Sequence, residues 1–187
     1  VKKGEIVGVT GLDGNGQDDF VKILAGVQEA NGGTIEVLDI NENFTKYNSL
    51  DDAKKNGISF VSGDRKKEGI LPNLSIYENL VVPLYKKTSR GGFLGFVDWL
   101  ELNGIFDWEV DRLSIKTGPR DNLIGSLSGG NQQKVMIARS FAQHPKILIL
   151  NDPARGIDVS TKRDLYVHLR KYVEEGNTVI FLSSELE

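Results

Sequence analysis

Cysteine is missing from all 187 residues, which excludes disulfides and thiolate metal sites and fits a reducing, intracellular address. Long apolar runs are missing too: none approaches the length that spans a bilayer. The opening "VKKGEIVGVTG" runs into a strand and a glycine turn, unlike a signal peptide's hydrophobic core, so any membrane role is expected to be peripheral. An excess of one charge sign is also lacking. The 23 basic and 26 acidic residues are interspersed and leave a formal net charge of -3, which gives no reason to expect a nucleic-acid partner or an anionic membrane surface. Internal repeats and low-complexity tracts do not occur. What is present, 39% hydrophobic and 26% charged content, describes one soluble globular domain with a sizeable core and excludes disorder.

Short β-rich runs alternate with helical ones, the pattern of an α/β domain around a mostly parallel sheet. "EIVGVT" (5–10) reads as a buried strand, and "DFVKILAGV" (19–27) as a helix closed by Gly26. "GGTIEVLDI" suggests a further strand or hairpin arm. Ser49 with Asp52, and Ser75 with Glu78, have capping-box spacing, so helices should start at "SLDDAKK" and "SIYENLVV", with the strand "ISFVS" (58–62) between them. Residues 85–127 change character. "KKTSRGGFLGF" is glycine-rich and basic, and "VDWLELNGIFDWEVDRL" carries both tryptophans at helical spacing, so this stretch reads as a mainly helical insert. The α/β pattern then resumes with "SGGNQQKVMIARSFAQ" as helix, "KILIL" as strand, "TKRDLYVHLRKYVEE" as helix and "TVIFLS" as strand. The expected division is an α/β core of 1–62 and 128–187, with a loop and helical subdomain at 63–127.

Three stretches carry chemistry. The first is "GLDGNGQDDF" (11–20), where strand, glycine loop and helix follow in P-loop order and Gly11, Gly14 and Gly16, with Asn15 between, fit G-x-x-x-x-G. Glycines let backbone N–H groups turn onto phosphate oxygens, and the helix adds its positive dipole end. Lysine and serine or threonine should follow. Gln17 and Asp18 stand there instead, with Asp19 beyond. One unit-charge pair about 4 Å apart is worth roughly 4 kcal/mol at an effective dielectric of about 20, so tight polyphosphate binding by this loop alone is not expected. The plain alternative is a strand-to-helix turn whose Asp18 and Asp19 suit the helix dipole.

The second stretch, "LSGGNQQK" (127–134), starts a helix with Ser128 at the N-cap and Gly129 and Gly130 in the first turn. Glycine is costly inside a helix, and two at its start make sense where an anion must approach the backbone. An ordinary capped helix explains Ser128 but neither glycine. "LSGGNQQKVMIAR" resembles the signature motif of ABC transporter ATPases, in the form found in simple-sugar importers. "ILILNDPARGIDV" resembles their Walker B strand and D-loop, and "GISFVSGDRKKEGI" their Q-loop region, which faces the membrane subunit. The likeness runs from Val1 to Glu187 in the family's order and is greatest to the second of two tandem nucleotide-binding halves. In the family, further strands upstream of residue 1 carry an adenine-stacking aromatic. Nucleoside importers share the "GNGQ" loop.

The third stretch departs from that family where hydrolysis is done. Asn151 and Asp152 stand where the pattern has Asp and Glu. The first carboxylate holds Mg²⁺ or its water and the second polarises the attacking water. Asp152 is one methylene shorter, a withdrawal of roughly 1.5 Å of a size that can cost about a hundredfold in rate. Gly63 takes the Q-loop glutamine's place, with Asp64 beside it, and Ser184 that of the switch histidine. Neither substitute reproduces the original chemistry.

The resemblance implies an ABC-type P-loop NTPase core, cofactors ATP and Mg²⁺ with weak or absent binding at this chain's own site, and a head-to-tail sandwich of two halves. Ser128, Gly129, Gly130 and Gln132 would then serve ATP held by the partner half, and Asp158 would meet it across the interface. Permease subunits, and indirectly a sugar-binding protein, are the further partners implied, at the cytoplasmic membrane face. A regulatory module that hydrolyses nothing, and a chromosome-associated ATPase, are the other classes; the second lacks the heptad arms it would need. His144 and His168 are expected to be structural. Trp99, Trp108, Phe93, Phe96 and Phe106 are expected to form the core of the helical insert rather than a permease contact, and "GDRKKEG" a solvated loop.

Overall fold

The computed structural model describes every residue except Asp13, 39–42, 86–88, 91–95 and 185–187, and the side chains of 89, 90 and 96. The chain divides into two compact units. One comprises Val1–Gly63, Pro145–Arg155 and Leu169–Glu187, the other Asp64–His144 and Gly156–His168.

The first unit is built on β1 (Ile6–Val9), β4 (Ile58–Val61), β7 (Ile147–Asn151) and β8 (Thr178–Leu182), all parallel, in the order β1-β8-β7-β4. These apolar, β-branched runs are what a sheet buried on both faces requires. The outermost strand is the exception. "EIVGVT" is not fully buried: β1 pairs only with β8 among the described strands, and Ile6 remains 39% exposed. A hairpin of β2 (Glu36–Leu38) and β3 (Phe44–Lys46) lies outside this sheet, so the expected strand after Gly33 is a hairpin arm.

Helix α1 (Gln17–Leu24) and helix α2 (Leu50–Lys55) cover one face, where Val21, Ala25, Val37, Tyr47, Ala53, Ile58, Ile149, Ile180 and Leu182 form one cluster. Each fully buried aliphatic side chain contributes about 1.5–3 kcal/mol. Ser49 caps α2 by accepting from the Asp52 N–H at 3.2 Å. Gly26 lets α1 end against that cap: its φ is +70°, and a Cβ there would lie 2.5 Å from the Ser49 carbonyl, so only glycine fits. Tyr47 Oη donates to the Leu24 carbonyl at 2.7 Å.

The second unit holds α3 (Ile76–Val81), α4 (Trp99–Arg112) and α5 (Gly129–Phe141), mutually packed, with the short antiparallel pair β5 (Ser89–Arg90) and β6 (Phe96–Val97). The reading of Ser75 and Glu78 as a capping box holds for α3. Helix α5 therefore groups with the helical insert, whereas the sequence reading put the boundary between 127 and 128; the reason is that its apolar side packs on α3 and α4. Helix α6 (Val159–Glu174) contributes residues to both units.

Two expectations for this unit need correction. The tryptophans are not its core: Trp99 is 56% and Trp108 67% exposed, while Leu102 and Phe106 carry the buried side of α4 and the Phe106 ring packs at a tilt against Tyr77, centroids 5.2 Å apart. The two indoles lie nine positions apart, so α4 turns them to opposite sides. Phe93 and the Phe96 side chain lie outside the described residues. "GDRKKEG" is solvated as expected at Asp64, Lys66, Lys67 and Glu68 but is not a loop. It forms a π-helical turn, Arg65–Gly69, whose Asp64 caps it by accepting from the Lys67 N–H at 3.0 Å, with Gly69 buried.

Candidate functional site

Ligands of open parallel sheets bind beyond the carboxyl ends of the strands, and the sheet register brings several such ends level. Val9 and Asn151 both pair with Leu182, Ser183 N–H donates to the Val9 carbonyl at 3.0 Å, and Asp152 N–H donates to the Leu182 carbonyl at 3.0 Å. Gly11, Asp152 and Ser184 therefore leave from one edge.

The loop after β1 turns on glycines. Gly14 and Gly16 have φ of +89° and +83°, and Asn15 N–H donates to the Leu12 carbonyl at 3.1 Å. Gly16 is the N-cap of α1 and supplies no side-chain cap, so the first-turn amides of Gln17, Asp18 and Asp19 suit an anion. The Gln17 side chain turns back on the loop, its Nε2 donating to the Leu12 carbonyl at 2.9 Å and the Gly11 carbonyl at 3.5 Å. A neutral amide closes the loop where a P-loop has a phosphate-reaching lysine.

Asp18 is not the bare charge the sequence suggested. Asn151 Nδ2 donates to its Oδ1 at 2.6 Å, and Lys22 Nζ lies 2.7 Å from its Oδ2. Lys22 first, and Asn151 with it, hold this carboxyl below the usual carboxylate range. Sequence reasoning missed Lys22, although its spacing of four from Asp18 on a helix was a usable signal. Asp19 is exposed.

Asp152 is buried, adopts a left-handed φ of +46°, and accepts from Ser184 Oγ at 2.7 Å. Gly63 lies against the same strand end, where a Cβ would fall 2.7 Å from the Asn151 carbonyl oxygen. The departures noted at 18 and 151, and at 152 and 184, are thus two bonded pairs.

Fit to the implied groups is divided. Backbone amides of 17–19 suit phosphate, but both Asp18 oxygens are bonded within the chain and Asp152 Oδ2 is engaged by Ser184. Among the described residues no group of three or more His, Cys, Asp or Glu gathers as a metal site. With Asp18 tied to Asn151 and Lys22, and Asp152 to Ser184, the side chains do not fit a divalent cation here.

The second feature lies in the other unit. Ser128 is exposed and caps α5, its Oγ accepting from the Asn131 backbone N–H at 3.5 Å and from Asn131 Nδ2 at 3.0 Å; Asn131 Oδ1 in turn accepts from Lys116 N–H at 2.9 Å. Arg65 Nη1 donates to the Gly129 carbonyl at 3.1 Å, and a Cβ on Gly129 would lie 2.9 Å from Arg65 Nη2. Gly130 faces Thr161, whose Oγ1 would be 3.2 Å from a Cβ there. These neighbours give both glycines a packing reason besides an anion's approach. Gln132 turns inward, its Nε2 donating to the Leu127 carbonyl at 2.9 Å, so it steadies the loop before α5. Asp158 caps α6, accepting from Ser160 Oγ, Thr161 N–H and Thr161 Oγ1 at 2.7, 3.0 and 2.8 Å. The Thr161 N–H foremost holds its carboxyl far below the usual range.

Asn79 escaped the sequence reading. It is 1% exposed, accepts from Leu71 N–H and donates to the Leu71 and Ser75 carbonyls, at 2.8, 2.9 and 2.9 Å. Its amide replaces a turn's backbone bonds, which no local pattern announces.

Strand, glycine loop, uncapped helix start and parallel sheet together define a P-loop nucleotide-binding core. The ABC transporter family model matches residues 1–155. Two ribose import ATP-binding proteins from strains of Bacillus cereus are 41% and 40% identical over all 187 residues, and the chain spans 36% of the length of each. A dimeric bacterial ABC transporter cassette superposes with a TM-score of 0.82 at 25% identity, covering 99% of this chain and 77% of that one. A dimeric post-hydrolysis state of the cassette bound to ADP and Pi gives 0.80 at 26% identity and the same coverage. The chain belongs to the ABC transporter family, and its fold is the ABC-type P-loop NTPase core. No helix among the described residues is long and apolar enough to cross a membrane.

Proposed function

We propose that this chain is the second nucleotide-binding half of a carbohydrate importer's ATP-binding subunit. It lends Ser128, Gly129 and Gly130 to ATP held by the partner half, while its own P-loop site is degenerate. The observation that carries this reading is the contrast between its two helix starts. At α5 the Ser128 cap is exposed; at α1 the positions meant for lysine, Mg²⁺ ligand and catalytic carboxylate are occupied by Gln17, Asp18 and Asp152, each bonded within the chain. Helix-terminal N–H donors aimed at a γ-phosphate act by electrostatic stabilisation. Gln132 and Asp158 support that tip rather than touch nucleotide, because their polar groups already cap and tether. The names of the relatives favour a pentose such as ribose over a nucleoside as cargo, and the permease holds the assembly at the membrane's inner face.

The test is ATP turnover of the full-length importer in liposomes. Ser128→Arg, which fills the approach to the helix start, should lower turnover about a hundredfold or more. Asp152→Asn should lower it at most about threefold. Unchanged turnover with Ser128→Arg would favour a regulatory module instead.

A further inference from the structure

P-loop proteins hold Mg²⁺ between a hydroxyl at the start of the loop's helix and a carboxylate at the end of the Walker B strand. Here the strand end carries the neutral donor, Asn151, and the helix start the carboxylate, Asp18. The pair meets at 2.6 Å, donor and acceptor reversed, across 133 positions of sequence. Either change alone would be poorly accommodated. Asp18 facing an aspartate would bring two carboxylates together without a proton between them, and Asn151 facing a serine would lose its charged acceptor. Lys22 completes the arrangement by neutralising Asp18 at 2.7 Å.

We propose that Asp18 and Asn151 are one reciprocally exchanged unit that ties the first turn of α1 to the end of β7 without a metal, so that this half's P-loop keeps its shape independently of Mg²⁺. The inference rests on the reading of residues 11–18 and 151–152 as a nucleotide site. Asp18 and Asn151 are the two positioning residues that set that site's metal requirement.

The experiment is hydrogen–deuterium exchange of the segment 16–24 in the full-length protein, read in EDTA and in Mg²⁺ with ATP, for Asp18→Ser, Asn151→Asp and both together. Wild-type exchange in this segment should be the same in EDTA and in Mg²⁺. Asn151→Asp should speed exchange in EDTA about threefold or more. The double variant should regain protection and become Mg²⁺-dependent. Effects that simply multiply, or a wild-type segment protected only by Mg²⁺, would overturn the proposal. Should Asn151→Asp not fold, Asp18→Ala and Asn151→Ala decide: matching losses that do not multiply in the double variant support the unit, and multiplying losses refute it. Failure here leaves the Ser128 result standing, whereas unaffected turnover in Ser128→Arg would remove the functional reading without altering this cycle.

Discussion

Single positions in this protein are constrained by what already stands beside them. Gly63 is the clearest case. Seen in sequence it is a missing glutamine; seen in structure it is a site with no room for a Cβ, since the Asn151 carbonyl oxygen would lie 2.7 Å away. That neighbour is backbone and cannot rotate aside. Restoring the family residue by Gly63→Gln should therefore destabilise the fold by about 1–3 kcal/mol, as other overpacking changes do, without raising turnover. Urea unfolding measures the first and an ATPase assay the second; a gain in turnover would mean the position is merely vacant. Asp152 is held as firmly, in a left-handed backbone conformation that aspartate tolerates better than glutamate.

At the scale of elements, helices and strands were largely legible because their signals are local. Ser49 and Ser75 announce helix starts through capping spacing, Ser128 through its place as N-cap before two glycines, and "KILIL" and "TVIFL" announce strands by their apolar runs. What was not legible depends on contacts between elements. The exposure of β1 follows from its edge place, and the turn of Trp99 and Trp108 to solvent from which side of α4 is packed; Asn79 braces a turn that no local pattern announces, whereas Lys22, four positions from Asp18 on α1, was legible from helical spacing. Tyr47 belongs here too, because it joins the segment after β3 to the end of α1 through the Leu24 carbonyl. Burial pushes its phenol up to about 12 from an ordinary 10. The folded chain thus keeps the proton where the unfolded chain loses it. Its stabilising contribution is whole below about pH 10 and is lost as pH rises through about 12. Tyr47→Phe should cost about 1 kcal/mol at neutral pH and should flatten the alkaline fall in unfolding midpoint, which thermal scans at pH 9 and 11 would register.

For the whole molecule, the motif order along the chain was enough to place it in its family, whereas the bonding among its departures from the family pattern was not legible. Six departures from the family pattern could be counted in the sequence, but four of them prove to be two bonded pairs, which counting could not reveal. If the P-loop side is closed in this way and the α5 tip serves a partner, one site in each pair of halves hydrolyses. Vanadate trapping of nucleotide in the intact importer should then retain one ADP per pair; two would show that this half turns over as well.

The reversed hydrogen bond between Asp18 and Asn151 also bears on ancestry and engineering. If this half is degenerate as proposed, single changes return it to a hydrolytic form only with difficulty: Asn151→Asp alone sets two acids against each other, and Asp18→Ser alone replaces a charged acceptor by a neutral one. On that reading, design of a hydrolytic site would introduce both residues in one step and only then address Gln17, Gly63 and Ser184.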